Sequence, residues 1–486
     1  MSGNGANHPA AAAAAGAAAS LPTAGAAAAA LNGGPPKRAG QDIDREIFDI
    51  ALPTLATLAA DPIASLVSTA WVGRLGSPEL AAVGVALSVY NTLTKLFNMP
   101  LLSVTTSAVA SALGENQGRP GPRVGDAVSA AVMLALVTGL VEAALLGLLG
   151  VAGLGLWGAG PASPLHTNAA HYLTVRALSA PATVLFLCLT GVFRGLGDTR
   201  APFYASLLAN IANILLEPLL IFTCGWGVAG AAGAIAIAQG LSCIVLLYLL
   251  NKRVKLQLAG GRALQDTLHF LRPTGLLTVR TLAISGTFAV ATALVARTGA
   301  THTAAHQVAF QVWLASSLLA DSLAVAAQAL LARTLAAGDK HTAKVVVGRT
   351  VQLVLGLGLA LMVLLALGSP FWPRLFTQDA ATLRVIGLLI PAVVLTQPAN
   401  ALAFLFDGVL YGAGGFQFAA VGMVAAVLPA LGIMLLGSRC GLAWGWGLDG
   451  QLLVVWAGLA ALMVARFVTI YVPYSRWVGP FEKLAE

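Results

Sequence analysis

Glu217 interrupts an apolar run, Asn210-Ile211-Ala212-Asn213-Ile214-Leu215-Leu216-Glu217-Pro218. An ionisable side chain at that depth costs about 2.5 to 3.5 kcal/mol on insertion scales, so its presence calls for a reason. Asn213 stands four residues earlier, which puts both side chains on one helix face where they can meet a common ion or proton. Pro218 has no amide hydrogen, so a backbone carbonyl one turn earlier loses its partner and becomes a further oxygen at the same place. The chemistry offered is cation or proton binding. The alternative is a carboxylate hydrogen-bonded between helices for structure alone.

Lys95, Arg176, Arg280 and Arg297 bring positive charge into or beside other apolar runs. A cleft that focuses positive potential attracts carboxylates, and Arg binds them through two parallel hydrogen bonds. Alternatively, Lys95 and Arg280 neutralise Asp61 or Asp321, and Arg176 and Arg297 extend to the membrane interface. Asp321, Asp407, Gln307 and Gln311 place polar groups in the second half, with Asp321 and Gln307 expected to face a cleft. Glu142 has no evident partner in sequence. His302 and His306 have a metal-binding spacing but no third ligand follows, so they are read as polar lining and no metal site is expected. The chain has no Gly-x-x-x-x-Gly-Lys, which excludes ATP hydrolysis as an internal motor, and no His-Glu-x-x-His or Gly-x-Ser-x-Gly; no catalytic residue or bound cofactor is expected. Cys188, Cys224, Cys243 and Cys440 lack paired spacing and read as small apolar side chains.

The elements that must carry these groups are membrane spans. Only 9% of the 486 residues are charged and 58% are hydrophobic, too little charge for a water-soluble surface. The apolar residues fall in runs long enough to cross a ~30 Å hydrocarbon core. Six runs lie near 47–72, 80–113, 127–152, 168–191, 202–223 and 228–250, and six more near 274–296, 303–332, 345–367, 382–411, 416–437 and 449–473. An all-α membrane protein of about twelve helices follows, with the bilayer as its solvent. The expected division is an Ala/Gly-rich disordered tail over 1–45, a first lobe over 46–250, a loop over 251–273, a second lobe over 274–474 and a tail over 475–486. With the N-terminus inside, eighteen Lys and Arg fall on inner loops, Arg194 and Arg333 among them, against four outside: Arg74, Arg297, Arg374 and Arg439. That asymmetry places both termini on the cytoplasmic-type side and explains the net charge of +8 without a nucleic-acid partner.

The halves repeat. Pro181-Ala182-Thr183-Val184-Leu185 leads to Gly191-Val192-Phe193-Arg194-Gly195-Leu196-Gly197, and Pro398-Ala399-Asn400-Ala401-Leu402 leads to Gly408-Val409-Leu410-Tyr411-Gly412-Ala413-Gly414. Ala81-Ala82 with Val85-Ala86 and Val89 returns as Ala304-Ala305 with Val308-Ala309 and Val312, which sets Asn98 where Asp321 stands. Two six-helix units of like chain order build a central site in many secondary transporters.

With these residues in hand, the chain resembles the multidrug and toxic compound extrusion (MATE) family, in its DinF-like branch with the plant organic-acid exporters. The resemblance covers nearly everything after Glu46 and rests on Gly191-Val192-Phe193-Arg194-Gly195-Leu196-Gly197-Asp198-Thr199-Arg200, Ala59-Ala60-Asp61-Pro62-Ile63, Lys95-Leu96-Phe97-Asn98-Met99-Pro100, and Ala304-Ala305-His306-Gln307 with Gln311 to Asp321. It implies two six-helix lobes around a cleft, rocking between inward-open and outward-open forms, with export driven by inward movement of H+ or Na+. Asn213 and Glu217 match the branch's cation-coupling pair. Two positions depart from the pattern: Ser68 in Val67-Ser68-Thr69-Ala70 stands where relatives usually have Asp, and Ile235 where they offer a Thr hydroxyl. A hard cation loses two oxygen groups, which favours H+ over Na+. Asp61, seven residues before Ser68 and nearly on its face, is the candidate to compensate; the alternative is a structural Asp paired with Lys95 or backbone. The expectation is a monomeric antiporter in the plasma membrane or plastid envelope. It exports a small organic anion such as citrate, with coupling at Glu217, Asn213, Asp61 and Ser68 and a cleft lined by Lys95, Asn98, Arg280, Gln307, Gln311 and Asp321. An exporter of cationic or neutral drugs and a flippase of lipid-linked substrates are the rival readings.

Overall fold

A computed structural model describes residues 36–157, 159–254, 261–444 and 447–485, and among them every regular element is a helix. The first half runs through α1 (Pro36–Gly73), α2 (Ser77–Glu115), α3 (Pro122–Leu145), α4 (His166–Gly195), α5 (Arg200–Pro218) and α6 (Gly227–Asn251). The second runs through α7 (Gly261–Ala296), α8 (Ala300–Ala336), α9 (Lys340–Leu367), α10 (Ala380–Leu395), α11 (Gln397–Gly412), α12 (Phe416–Trp444) and α13 (Gly447–Ser475). Among the described residues eleven helices are long and apolar enough to span a bilayer, and α10 with α11, bent by 50°, supply a twelfth span.

The expected single run over 382–411 is therefore a broken one, and its chemistry shows why. Pro398 in the first turn of α11 has no amide to donate to the Val394 carbonyl, and side chains at the break serve the neighbouring carbonyls. The Thr396 hydroxyl donates to the Ala392 carbonyl at 2.7 Å, and the Gln397 amide to the Val393 carbonyl at 2.8 Å. Three expected boundaries also move. Residues 36–45, assigned to a tail, begin α1, where Ile43, Ile47 and Ile50 are buried at helical spacing; the rest of that tail lies outside the described residues. Residues 261–273 of the expected loop open α7, and the C-terminal tail forms a 3₁₀ helix, Gly479–Leu484, whose Phe481 and Leu484 are fully buried.

The repeat becomes packing. In both halves the second helix lies on the fourth (α2 on α4, α8 on α11) and the first on the fifth (α1 on α5, α7 on α12). The shared glycines permit this approach. A methyl on Gly191 or Gly195 would meet the carbonyl oxygens of Leu102 at 2.9 Å and Thr106 at 2.7 Å. On Gly408 or Gly412 it would meet those of Ala324 at 2.3 Å and Gln328 at 2.8 Å.

How the lobes meet is read from the cores. One apolar cluster contains residues of both halves, Ile47 and Leu101 together with Leu330 and Val347, and it lies at the end where α2 and α8 finish. Towards the other end the core divides: one cluster draws only on the first half, around Tyr172, and another only on the second, around Trp313 and Trp456. The lobes are thus joined at one end and parted at the other. The joined end carries bonds between lobes: Gln328 Nε2 donates to the Ser103 carbonyl and to Ser107 Oγ, each at 2.8 Å, Ser107 Oγ donates to the Tyr411 carbonyl at 2.9 Å, and Glu46–Arg333 and Asp44–Arg349 form ion pairs. Most of the chain's loop Lys and Arg sit at this end, which the positive-inside rule makes cytoplasmic; the cleft opens outward.

Candidate functional site

The cleft walls identify themselves by what they expose. A lipid-facing helix shows large apolar side chains, as Leu359, Val363 and Leu364 do on α9. On the first half of α8 the exposed stripe is Ala304, Gln307, Gln311 and Ala315, small and polar. On α2 the exposed positions include Ser88, Asn91, Thr92 and Lys95. Lys95, Gln307 and Gln311, three of the residues expected at the cleft, lie on these exposed polar stripes. Between Pro100 and Gly114 on α2, and from Ser316 to Ala336 on α8, no residue is exposed.

In the first lobe, Glu217 ends α5 with no accessible surface, and the chain continues from Pro218 into a π-helical turn, Leu219–Thr223. Ser68 Oγ of α1 donates to Glu217 Oε1 at 2.5 Å, so two residues distant in sequence form one group. Glu217 Oε2 and Asn213 Oδ1 are buried and make no hydrogen bond. These are two acceptors on one helix face, and each lacks a donor. A proton on Oε2 could donate to the amide oxygen and satisfy both. Asp61 keeps apart from Lys95: it is exposed and accepts from Asn210 Nδ2 at 3.2 Å and Ser206 Oγ at 3.4 Å, both on α5. It thus lies on the α1–α5 seam that also holds Glu217, but does not touch that carboxylate.

Deeper in the same lobe is a second polar cluster. Arg176 is buried and does not extend to the interface; its guanidinium lies 4.1 Å from the Tyr90 ring centroid and donates to Gln239 Oε1 at 3.4 Å. Thr183 Oγ1 donates to the same oxygen at 2.6 Å. Glu142 is 1% exposed; the Asn98 side chain is its hydrogen-bonding neighbour, and Arg176 acts on it through charge without forming an ion pair.

The second lobe arranges its charges differently. Arg280 of α7 and Arg466 of α13 both donate to Oδ2 of Asp407 on α11. Arg280 therefore pairs with neither Asp61 nor Asp321. Asp321 is half-buried beside this triad, within electrostatic reach of Arg194, Arg466, Asp407 and Arg280. Arg194, assigned to an inner loop, is in fact buried near the end of α4, between the fields of Asp321 and Asp61. Arg466 escaped the sequence reading, although a lone cation in the run over 449–473 was the signal that could have found it.

His302 and His306 do not act as a pair. His302 Nε2 lies 2.8 Å from Asp449 Oδ1, whereas His306 is fully buried and stacks on Phe310. Among the described residues no three metal-binding side chains come together.

A family model described as MatE matches residues 53–219 and 277–435. The chain is similar to the Arabidopsis thaliana protein DETOXIFICATION 44, chloroplastic, at 40% identity over 91% of this chain and 84% of that protein. It is also similar to DETOXIFICATION 45, chloroplastic, of the same plant, at 38% identity over 88% and 77%. The fold matches the crystal structure of the Vibrio cholerae transporter VcmN with a TM-score of 0.81, covering 92% of this chain and 100% of that one at 19% identity.

Proposed function

The chain belongs to the multidrug and toxic compound extrusion family of membrane transporters, and from that premise we propose that it is an H+-driven antiporter exporting a small organic anion of the citrate class. The observation that carries the coupling is the pair of buried, donorless oxygens, Glu217 Oε2 and Asn213 Oδ1, beside a hydroxyl already committed to Glu217. One proton satisfies both oxygens, while Na+ asks for several ligands and finds few here. In the outward-open form a proton reaches Glu217 and neutralises it. Its return to the inner side lets the lobe bind substrate again, so proton and substrate alternate on one pathway.

The anion reading is supported by Lys95 on the cleft wall and by Arg280 and Arg466, whose Nε groups are buried without acceptors. A guanidinium with spare donors suits a substrate carboxylate. The substrate path lies between two lobes of one chain, so a monomer suffices. The word chloroplastic in the names of two relatives supports the plastid envelope over the plasma membrane.

The test is efflux from proteoliposomes loaded with labelled citrate or a labelled organic cation, under an imposed pH gradient. Citrate is expected to leave uphill, and Glu217→Gln to abolish uphill efflux. Exit of the cation alone would overturn the substrate, and unchanged uphill efflux by the variant would overturn the coupling residue.

A further inference from the structure

Glu142 plays no part in the mechanism above, yet it is a nearly inaccessible acid on α3 that forms no ion pair and has the Asn98 side chain as its hydrogen-bonding neighbour. Its surroundings are polar. Asn98 of α2 and Arg176 of α4 face it, and Arg176 is the charged group that acts on it. That guanidinium is engaged elsewhere, over Tyr90 and on Gln239, and its Nε is unbonded. Tyr90 Oη and Asn98 Oδ1 are also buried without partners. Three orphaned polar atoms around one buried acid are more than a structural network leaves, because each costs free energy when buried unmatched. They describe a site with two arrangements, of which the outward-open form displays one.

We propose that Glu142, with Arg176 as its movable counter-ion and Asn98 and Tyr90 as flanking groups, is a second proton-binding site of the first lobe. With the lobes parted on the outer side, Arg176 sits on Tyr90 and Gln239, and Glu142 holds a proton as a neutral acid. When Arg176 turns from Gln239 to Glu142, the ion pair replaces the proton, which leaves. No other bond is made or broken. Tyr172, fully buried one turn before Arg176, lies in the field of Arg176, Tyr90 and Glu217 and so links the two acids. A cycle then moves two protons, one at each glutamate.

This inference rests on the H+-coupled reading, and the experiment separates the two. The full chain is reconstituted with the membrane potential clamped at zero and a tenfold citrate gradient, and the pH gradient that just stops net flux is measured. Two protons balance that gradient at about half a pH unit, and one proton at about one unit. The wild type is expected at the lower value and Glu142→Gln at twice it. The stopping point does not depend on turnover, so a slow variant still reports. Absence of any pH-driven flux in the wild type would sink the proton-coupled reading itself. A wild type that stops at one unit, or a Glu142→Gln protein with an unchanged stopping point, would overturn only the second site. Should Glu142→Gln fail to fold, an indicator dye counts protons released when citrate binds the purified wild type. About two per chain are expected, falling to about one in Glu217→Gln, and a single proton from the wild type would refute the proposal.

Discussion

Gly114 offers a way to push the two lobes apart without touching any charge. It lies in the last turn of α2, at the cytoplasmic end, and a methyl there would sit 2.1 Å from the Arg333 carbonyl oxygen of α8 and 3.0 Å from the Ala336 Cβ. The carbonyl contact is roughly 1 Å or more short of ordinary separation and involves backbone, so the helices must part. Overpacking of this kind costs about 1 to 3 kcal/mol. The cost falls on the outward-open form alone, because α2 and α8 separate at this end when the cleft opens inward. Gly114→Ala should therefore shift the equilibrium towards inward-open by about 5- to 150-fold. Spin labels at Arg119→Cys and Ala337→Cys, with Cys188, Cys224, Cys243 and Cys440 replaced by Ala, read the separation. The longer distance should gain population at the expense of the shorter. Gly408→Ala is the control, since its methyl would meet Ala324 O at 2.3 Å within one lobe and should lower thermal stability without moving the distribution. An unchanged distribution in a folded Gly114→Ala protein would refute the reasoning.

Asp407→Asn should cost about 3 to 5 kcal/mol, because it removes the carboxylate bonded to both Arg280 and Arg466 and leaves the more distant Asp321 as their counter-ion; thermal unfolding in detergent checks this, and a variant that melts with the wild type contradicts it. Asp379, at the outer start of α10, accepts from the Thr382 amide at 2.8 Å and its hydroxyl at 2.6 Å, and these bonds hold its carboxyl below the usual carboxylate range. A lowered value means that the cap is fully present at neutral pH and is lost as pH falls through the folded value, below the ordinary range. Exchange of the Thr382 amide, corrected for its intrinsic rate, should rise on acidification in the wild type and already be raised at neutral pH in Asp379→Ala; equal protection in both proteins would contradict this.

The membrane, the repeat and the cleft were legible in the sequence because each leaves a local mark: a run length, a glycine spacing, a polar residue on an apolar face. Lys95, Gln307 and Gln311 carry such marks, and all three are exposed. Pairings were not, because the partner of a buried charge is set by which helices meet. Arg280 was set against Asp61 or Asp321, yet α7 and α13 both bring an Arg to Asp407 on α11. Ser68 was noted as a position where an acid is missing. Only the packing of α1 on α5 shows that its hydroxyl is the donor to Glu217. Helix ends differ for a related reason, since residues 36–45 and 261–273 look polar enough for loops yet open α1 and α7, with Ile43 and Phe270 buried.

The two lobes share a fold but divide the charge unequally, and this bears on where coupling can occur. In the second lobe the acid of α11 is bonded to two guanidinium groups, so any ligand arriving there must first displace a strong partner. In the first lobe Glu217 has one hydroxyl donor and an open oxygen, and Glu142 has the Asn98 side chain beside it and no ion pair. A proton can join either without breaking an ion pair. The repeat supplies the same helix positions twice: Asp407 stands where Thr190 stands in the first lobe, and Tyr411 where Arg194 stands. The substitution at Asp407 is enough to give the fourth span of the second lobe an acid held by two guanidinium groups where the first lobe has the Thr190 hydroxyl.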